Sequence, residues 1–400
     1  MQILHVLKWL SPVEACGGQI RALHLGRSLA SFAEVDAVGF LPRRQLSGED
    51  NQNLKHYRQL FPIPLPEKIK AMREIACSSL AGASLRTSRF FPNYLYTFIN
   101  KLVMEGSYDA IQVEELPLMS AVLKMNTGIP IVFSSHNVES ELSSRLFKKY
   151  NSALRLFAGI EQRRTLREER KALSASASCL VVSERDRQQF RELSGSAQLP
   201  PIHVLPNGVP ERFSPAKQPA KRAGILISGS FGWYPNKNGL HWFLDFVLPQ
   251  IRRIHPDLPI RVAGSGIKSQ IQQRLQKKGI SVHCDVPDML PFLRQAQMLL
   301  VPLRIGGGTR IKIIEAWGAG LPVVSTSLGA EGLPCAHERD ILLADRPEDF
   351  ANSINRLLID AELRETLAAN GISAANGLRW PALNGPLGNV YSQLNMDNGR

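Results

Sequence analysis

Cysteine is scarce in this chain. Five residues, at positions 16, 77, 179, 284 and 335, are spread over 400 and form no Cys-x-x-Cys pair. Neither a disulfide framework nor a zinc site is expected, and a reducing cytoplasm fits best. Long apolar runs are also missing, and none approaches the ~20 residues of a membrane span. Residues 1–8 are too soon interrupted for a signal peptide and read as a first strand. No Asp-x-Asp pair and no His-Glu-x-x-His occurs, so no metal-ligand motif is offered. The chain lacks a zinc finger and the aromatic-rich strand of an RNA-binding sheet, which argues against nucleic acid as a partner. Acidic residues are in deficit, 35 against 48 Lys and Arg, and the net charge of +13 implies an anionic partner. Hydrophobic residues at 44% and charged residues at 21% are a globular balance, with length enough for two domains.

The most informative stretch is Gly306-Gly307-Gly308-Thr309-Arg310-Ile311-Lys312-Ile313-Ile314-Glu315-Ala316-Trp317. It follows an apolar run at 298–303 and precedes another at 322–325, so it reads as the loop and helix of a parallel βαβ step. Glycines let backbone approach a ligand closely, and the N–H groups and positive dipole end of the next helix suit a phosphate. Arg310 and Lys312 are read as mobile positive charge at that end. Glu315, about one and a half turns into the helix, could accept hydrogen bonds from ribose hydroxyls. A tight structural loop with a solvated Arg and Lys is the plain alternative.

Alternation of strands and helices predicts an α/β chain with two Rossmann-like domains. Strands are expected at 3–7, 35–41, 110–113, 130–134 and 179–183, then at 224–228, 260–263, 281–283, 298–303, 322–325 and 341–343. Gly17-Gly18 opens a helix, and a long helical stretch is expected over 138–173. Between 45 and 107 helices are expected without clear bounds. The predicted organisation is an N-terminal domain over 1–205, a linker over 206–222 and a C-terminal domain over 223–375. A closing helix in 376–400 is expected to pack back on the first domain. Two such domains would place a cleft between the carboxyl edges of their sheets, with both glycine loops facing it. Gly264-Ser265-Gly266 invites a dinucleotide reading, but Ser269 stands where the third glycine would fall, so a sharp turn is the better account.

At this point the chain resembles the GT-B glycosyltransferases of family four (glycosyl transferases group 1), retaining enzymes that use nucleotide sugars. The likeness runs through Gly17-Gly18 with Arg21, Ser134-Ser135-His136-Asn137-Val138-Glu139 and Val181-Val182-Ser183-Glu184. It continues in Leu205-Pro206-Asn207-Gly208-Val209, Ser228-Gly229-Ser230-Phe231-Gly232-Trp233-Tyr234-Pro235-Asn236 and Val262-Ala263-Gly264-Ser265-Gly266. It closes with the glycine loop and Gly320-Leu321-Pro322-Val323-Val324-Ser325-Thr326. The resemblance implies that Glu315 holds the donor ribose. It implies that Gly308 and Thr309 meet the donor sugar and diphosphate. His136 would lie near the reacting sugar, and Gly17 and Gly18 would approach the diphosphate from the first domain. Two departures stand out. Gly307 occupies the position of a second glutamate often found eight residues before the ribose-binding one. After the first strand of the second domain, where many members carry Arg and Lys, only Lys237 is present. Arg310 or Lys312 is expected to take over part of that duty.

The implied chemistry is transfer of a sugar from a nucleoside-diphosphate sugar, with retention, to a glycan or lipid-linked acceptor in surface polysaccharide or glycolipid assembly. Backbone amides, a helix terminus and basic side chains can stabilise the leaving diphosphate without a metal, and no cofactor is required. No carboxylate pair can be shown to flank a glycosidic bond, so hydrolase logic is not supported. The alternatives are a non-catalytic nucleotide-sugar binding subunit, made conceivable by Gly307, and a GT-B sugar-nucleotide epimerase. Residues 145–171 hold nine Lys or Arg against three Glu. With Arg86, Arg89, Phe90, Phe91, Tyr94, Tyr96 and Phe98, they could form a basic, aromatic-edged face for an anionic membrane. A solvated helix face beside ordinary core aromatics explains them equally well.

Overall fold

A computed structural model of the chain describes residues 1–10, 17–41, 53–147, 152–195, 198–216 and 222–398. The chain divides into two compact units, Met1–Pro206 with Leu383–Arg400, and Asn207–Ala382.

The first unit is built on a seven-stranded sheet of order β3-β2-β1-β4-β5-β6-β7. The strands are β1 (Gln2–Trp9), β2 (Glu34–Phe40), β3 (Gln59–Ile63), β4 (Ala110–Glu114), β5 (Ile131–Ser134), β6 (Ser178–Val181) and β7 (Ile202–Val204). Every pairing is parallel. Such strands are covered on both faces, which is why β1 buries Ile3, Leu4, Val6 and Leu7 in one run. The second unit repeats the plan with six parallel strands of order β10-β9-β8-β11-β12-β13. These are β8 (Ile225–Ser230), β9 (Ile260–Ser265), β10 (Ser281–Cys284), β11 (Met298–Val301), β12 (Val323–Ser325) and β13 (Leu342–Leu343). Each sheet has one place where the chain reverses its direction of travel, between β1 and β4 and between β8 and β11. At such a switch point the loops diverge and leave a crevice outside the carboxyl ends of the strands.

Several expectations need correction. Strands β3 and β7 were not expected. Gln59, Leu60 and Pro62 are exposed in β3, and all of β7 is half-buried, so neither edge strand has an apolar run to announce it. The helical stretch over 138–173 is described as two helices, Glu139–Phe147 and Ser152–Ser174, and residues 148–151 lie outside the described residues. The helical stretch after β8 contains a π turn, Phe243–Val247, ahead of Pro249, which can donate no backbone hydrogen bond. Residues 207–216 and 222, expected in the linker, fold within the second unit. Val209 forms a parallel bridge with Arg379, and the Arg379 guanidinium donates to the carbonyls of Pro210 and Phe213. Residues 217–221 lie outside the described residues. Helix Trp380–Asn398 begins in the second unit and belongs to the first from Leu383 onward.

Candidate functional site

The second unit's crevice is formed by the loops after β8 and β11. The loop after β11 carries the glycines, and helix Ile311–Gly318 follows it. Gly306, Gly307 and Gly308 are buried, and Gly308 takes a φ of 69° that side-chain-bearing residues avoid. Arg310 is not mobile. It is 6% exposed, lies beneath the loop, and donates from Nη1 to the carbonyls of Gly307 and Gly308. A methyl group at Gly306 would stand only 2.3 Å from Arg310 Nη2, so the glycine makes room for the guanidinium. The sequence showed a charge at the helix start; the fold turns it inward, onto the carbonyls of Gly307 and Gly308.

Lys312 is not mobile either. Its ammonium donates to the carbonyl of Ser228 and to Asn236 Oδ1, the latter at 3.1 Å. It thus sits at the carboxyl end of β8, although it is carried by the helix after β11. Burial and the nearby Arg310 depress its pKa to about 7, against the opposing pull of Glu315. Glu315 follows three residues later on the same helix and is partly exposed. Thr309 Oγ1 accepts a 2.7 Å hydrogen bond from Asn207 Nδ2. The Pro-Asn-Gly turn thus latches the loop, a role sequence reading did not assign. Lys237 stands on helix Tyr234–Trp242 with its ammonium 5.9 Å from the Tyr234 ring centre, and its neighbour Asn236 is the residue bonded to Lys312.

The first unit's crevice carries carboxylates and histidines at its strand ends. Gly17 and Gly18 form the first turn of helix Gly17–Ala30, after a segment outside the described residues. An added Cβ on Gly18 would lie 3.4 Å from Glu115 Oε1 and 3.5 Å from His136 Nδ1, so the structure brings Gly18 and His136 together. His136 Nε2 lies 2.7 Å from Glu114 Oε2, and His5 Nε2 lies 3.1 Å from Glu114 Oε1. Burial alone would raise the Glu114 carboxyl, but the bonds to His136 and His5 hold it well below the usual carboxylate range. Glu115 departs from the strand with a φ of 71°, a strained value for a residue with a side chain. Its carboxylate lies 3.8 Å from Lys8 Nζ and 3.9 Å from His136 Nδ1. These charges outweigh burial and lower its pKa. Arg21 is buried, donates to the carbonyl of Pro206 at 3.2 Å, and has its pKa lowered to about 10 by burial, opposed by Glu114 and Asp186. Glu114, Glu115 and His5 were missed as site residues. Their signal was a His and a Gln-Val-Glu-Glu run inside strands that are otherwise apolar.

Among the described residues, no group of three or more His, Cys, Asp or Glu is placed to hold a metal ion, and no helix is long and apolar enough to cross a membrane. The basic, aromatic-edged face takes a different form from the one expected. Phe91, Tyr94, Tyr96 and Phe98 pack against the first unit's core, and Arg86 donates to Glu139 at 2.7 Å. Of residues 145–171, 148–151 lie outside the described residues. The three glutamates of the stretch turn inward. Glu161 and Glu168 accept from the backbone N–H groups of Leu85 and Ser84, and Glu169 accepts from those of Glu139 and Ser140. Arg155, Arg163, Arg167, Arg170 and Lys171 remain exposed, beside Leu156, Phe157 and Ile160.

Two doubly wound parallel sheets, each with a polar crevice at its switch point, define a two-domain Rossmann-type protein. A sucrose-phosphate synthase from Thermosynechococcus elongatus shares this fold with a TM-score of 0.74 at 16% identity, over 99% of this chain and 100% of that one. So does the Anabaena protein HepE, solved with UDP-glucose, with a TM-score of 0.70 at 14% identity, over 98% of this chain and 100% of that one. Residues 17–213 match Glycosyltransferase Family 4, and residues 222–360 match Glycosyl transferases group 1. The chain belongs to this family of GT-B glycosyltransferases. An uncharacterized 44.6 kDa protein in the cps region of Klebsiella pneumoniae is 23% identical over 231 residues, 55% of this chain and 57% of that protein. The chain spans about half the length of the curated relatives it matches.

Proposed function

We propose that the chain transfers a sugar, with retention and without a metal, from a nucleoside-diphosphate sugar to a glycan or lipid-linked acceptor. The observation that carries this reading is the second unit's crevice. It combines a glycine loop held from beneath by Arg310, a lysine fixed at the end of the neighbouring strand, and Glu315 on the helix that follows. The backbone N–H groups and Lys312 suit a diphosphate whose negative charge grows as the glycosidic bond weakens. Glu315 suits a ribose. Lys312 adds, from another helix, a cation to a segment after β8 that carries Lys237 alone. Thr309, latched by Asn207, and Gly308 then border the donor sugar, and His136 with Gly18 serves the reacting end. That HepE was solved with UDP-glucose makes a uridine donor the first to try.

Thermal unfolding of wild type and Glu315→Ala with UDP, GDP, ADP, CMP and dTDP tests this reading. A ligand at 100 times its Kd adds about 2.7 kcal/mol, a visible shift. One nucleotide should stabilise the wild type and not the variant. No shift with any of them would remove the nucleotide-sugar reading and leave the loop a structural turn.

The acceptor side is supported by the exposed faces of the first unit. Helix Lys68–Leu80 exposes Ile69, Met72 and Leu80 beside Lys68, Lys70 and Arg73, and Leu156, Phe157 and Ile160 are exposed on the arginine-bearing helix. Apolar side chains among cations suit an anionic lipid surface, where lipid-linked acceptors reside. Co-sedimentation with anionic vesicles at low salt should be seen, and its absence removes the membrane from the proposal.

A further inference from the structure

A chain of hydrogen bonds joins the C-terminal helix to His136. The Tyr391 hydroxyl donates to Gln112 Oε1 at 2.6 Å, and Gln112 Nε2 donates to Glu114 Oε1 at 2.6 Å. Glu114 Oε2 then lies 2.7 Å from His136 Nε2. A branch runs from Glu114 Oε1 through His5, whose Nδ1 lies 3.1 Å from the Tyr57 hydroxyl. The carboxylate at the centre fixes the direction of the bonds made to it. An ionised Glu114 can only accept, so both histidines must present Nε2–H to it. The Gln112 amide must turn its NH2 toward the carboxylate, which leaves its carbonyl for Tyr391. In its neutral form His5 has Nδ1 free to accept from the Tyr57 hydroxyl. His136 Nδ1 faces away from Glu114, toward Gly18 and Glu115.

As a purely structural feature this cluster would be costly. His5, Gln112, Glu114 and Tyr391 are at most 1% exposed, in a sheet that apolar residues would fill more cheaply. We propose that Tyr391, Gln112 and Glu114 are positioning residues for His136: they fix its tautomer and ring plane so that Nδ1 is presented at the carboxyl edge of the sheet. The C-terminal helix thereby takes part in the site without touching substrate. This rests on the reading of His136 as the group beside the reacting sugar.

Kinetics of donor turnover and 15N spectra of the histidine side chains test it, with wild type, Tyr391→Phe, Glu114→Gln and a packing control. Phe32→Leu is that control, because the Phe32 ring packs on Tyr391 at 5.6 Å between centres and has no polar group to take part in the hydrogen-bond chain. Tyr391→Phe should lower kcat about threefold to tenfold with the donor KM unchanged. Phe32→Leu should lower only Tm. Glu114→Gln should lower kcat about a hundredfold. At a pH where the imidazoles are neutral, its His136 should leave the Nε2–H form found in the wild type, because a carboxamide can offer it a donor instead. Equal kcat in Tyr391→Phe and the control, or Nε2–H in both wild type and Glu114→Gln, overturns the proposal. Absence of transfer from any donor by the wild type would instead sink the proposed function. The tautomer measurement would still decide the positioning, and the kcat of Tyr391→Phe against that of the packing control tests it should Glu114→Gln not fold.

Discussion

Donor binding should take up a proton, and Lys312 sets how much. Burial and the neighbouring Arg310 bring its pKa from 10.5 down to about 7 in the unliganded protein. A diphosphate beside the ammonium favours the charged form and restores the pKa toward its ordinary value. At pH 7 about half of the lysines are already charged, so binding should take up ~0.5 proton; at pH 8 the figure rises to ~0.9, and at pH 6 it falls to ~0.1. The same linkage makes Kd flat below about pH 7 and weakens it up to tenfold per pH unit above. Calorimetry in two buffers of different ionisation enthalpy reads the uptake directly. The ligand should be an intact nucleoside-diphosphate sugar, because its phosphodiesters do not titrate in this range, whereas a free terminal phosphate does. Lys312→Met should abolish both the uptake and the pH dependence. Zero uptake by the wild type at pH 7 and 8, or equal uptake in the Met variant, refutes the assignment. Stability follows the same group. A depressed folded-state pKa gives a contribution that is present above pH 10.5 and lost as pH falls through about 7.

Other substitutions separate the roles of neighbouring residues. Arg310→Met leaves the carbonyls of Gly307 and Gly308 without their buried donor, and should cost about 1–3 kcal/mol in urea unfolding as well as donor binding. A residue that only contacted the diphosphate would lose binding without loss of stability. Burial lifts the Glu169 carboxyl to about 8. That folded value exceeds the unfolded one, so the stability it lends is full below about pH 4.5 and is lost as pH rises through about 8. Glu169→Gln should flatten the urea midpoint between pH 5 and 8.5 relative to wild type. Trp317→Ala empties a site that is 0% exposed and removes the indole bond to the Asp340 carbonyl, with an expected cost of about 3–5 kcal/mol by chemical denaturation.

The central strands were legible because parallel strands buried on both faces are apolar over most of their length. The edge strand β3 was not, since its exposed Gln59 and Leu60 and its Pro62 break any run. Helix Ala361–Asn376 escaped notice for a related reason. Gly371 sits inside it where an added Cβ would stand 2.6 Å from the Trp317 ring, so the interface demanded a residue that reads as a breaker. Within the candidate site, the glycine loop and Glu315 were visible because they are contiguous. Arg310 and Lys312 were visible as charges, yet their directions depend on carbonyls of the folded loop and on Ser228, 84 residues away. The Glu114 network was hidden by topology. His5 and Gln112 are register partners only because β1 and β4 lie side by side, and Tyr391 reaches Gln112 from 279 residues away.

One topology used twice has produced two crevices of different lining, and the difference lies in what each strand end carries. In the second unit, β8 ends in carbonyls capped by Lys312, and β11 leads into amide N–H groups backed by Arg310. In the first unit, β4 ends in two carboxylates and β5 leads to a histidine they hold. Sugar transfer places opposite demands on its two ends. The leaving diphosphate gains negative charge and calls for cations and N–H groups, while the acceptor hydroxyl must lose a proton and calls for acceptors. On the proposed reading each crevice meets one demand. The electrostatics therefore predict opposite pH responses: donor affinity should weaken above about pH 7 through Lys312, whereas kcat should fall on the acid side, where Glu115 takes up a proton. A pH profile with both limbs, of which Lys312→Met moves only the alkaline one, would separate the two crevices. A single limb shifted by both Lys312→Met and Glu115→Gln would show that they do not act independently.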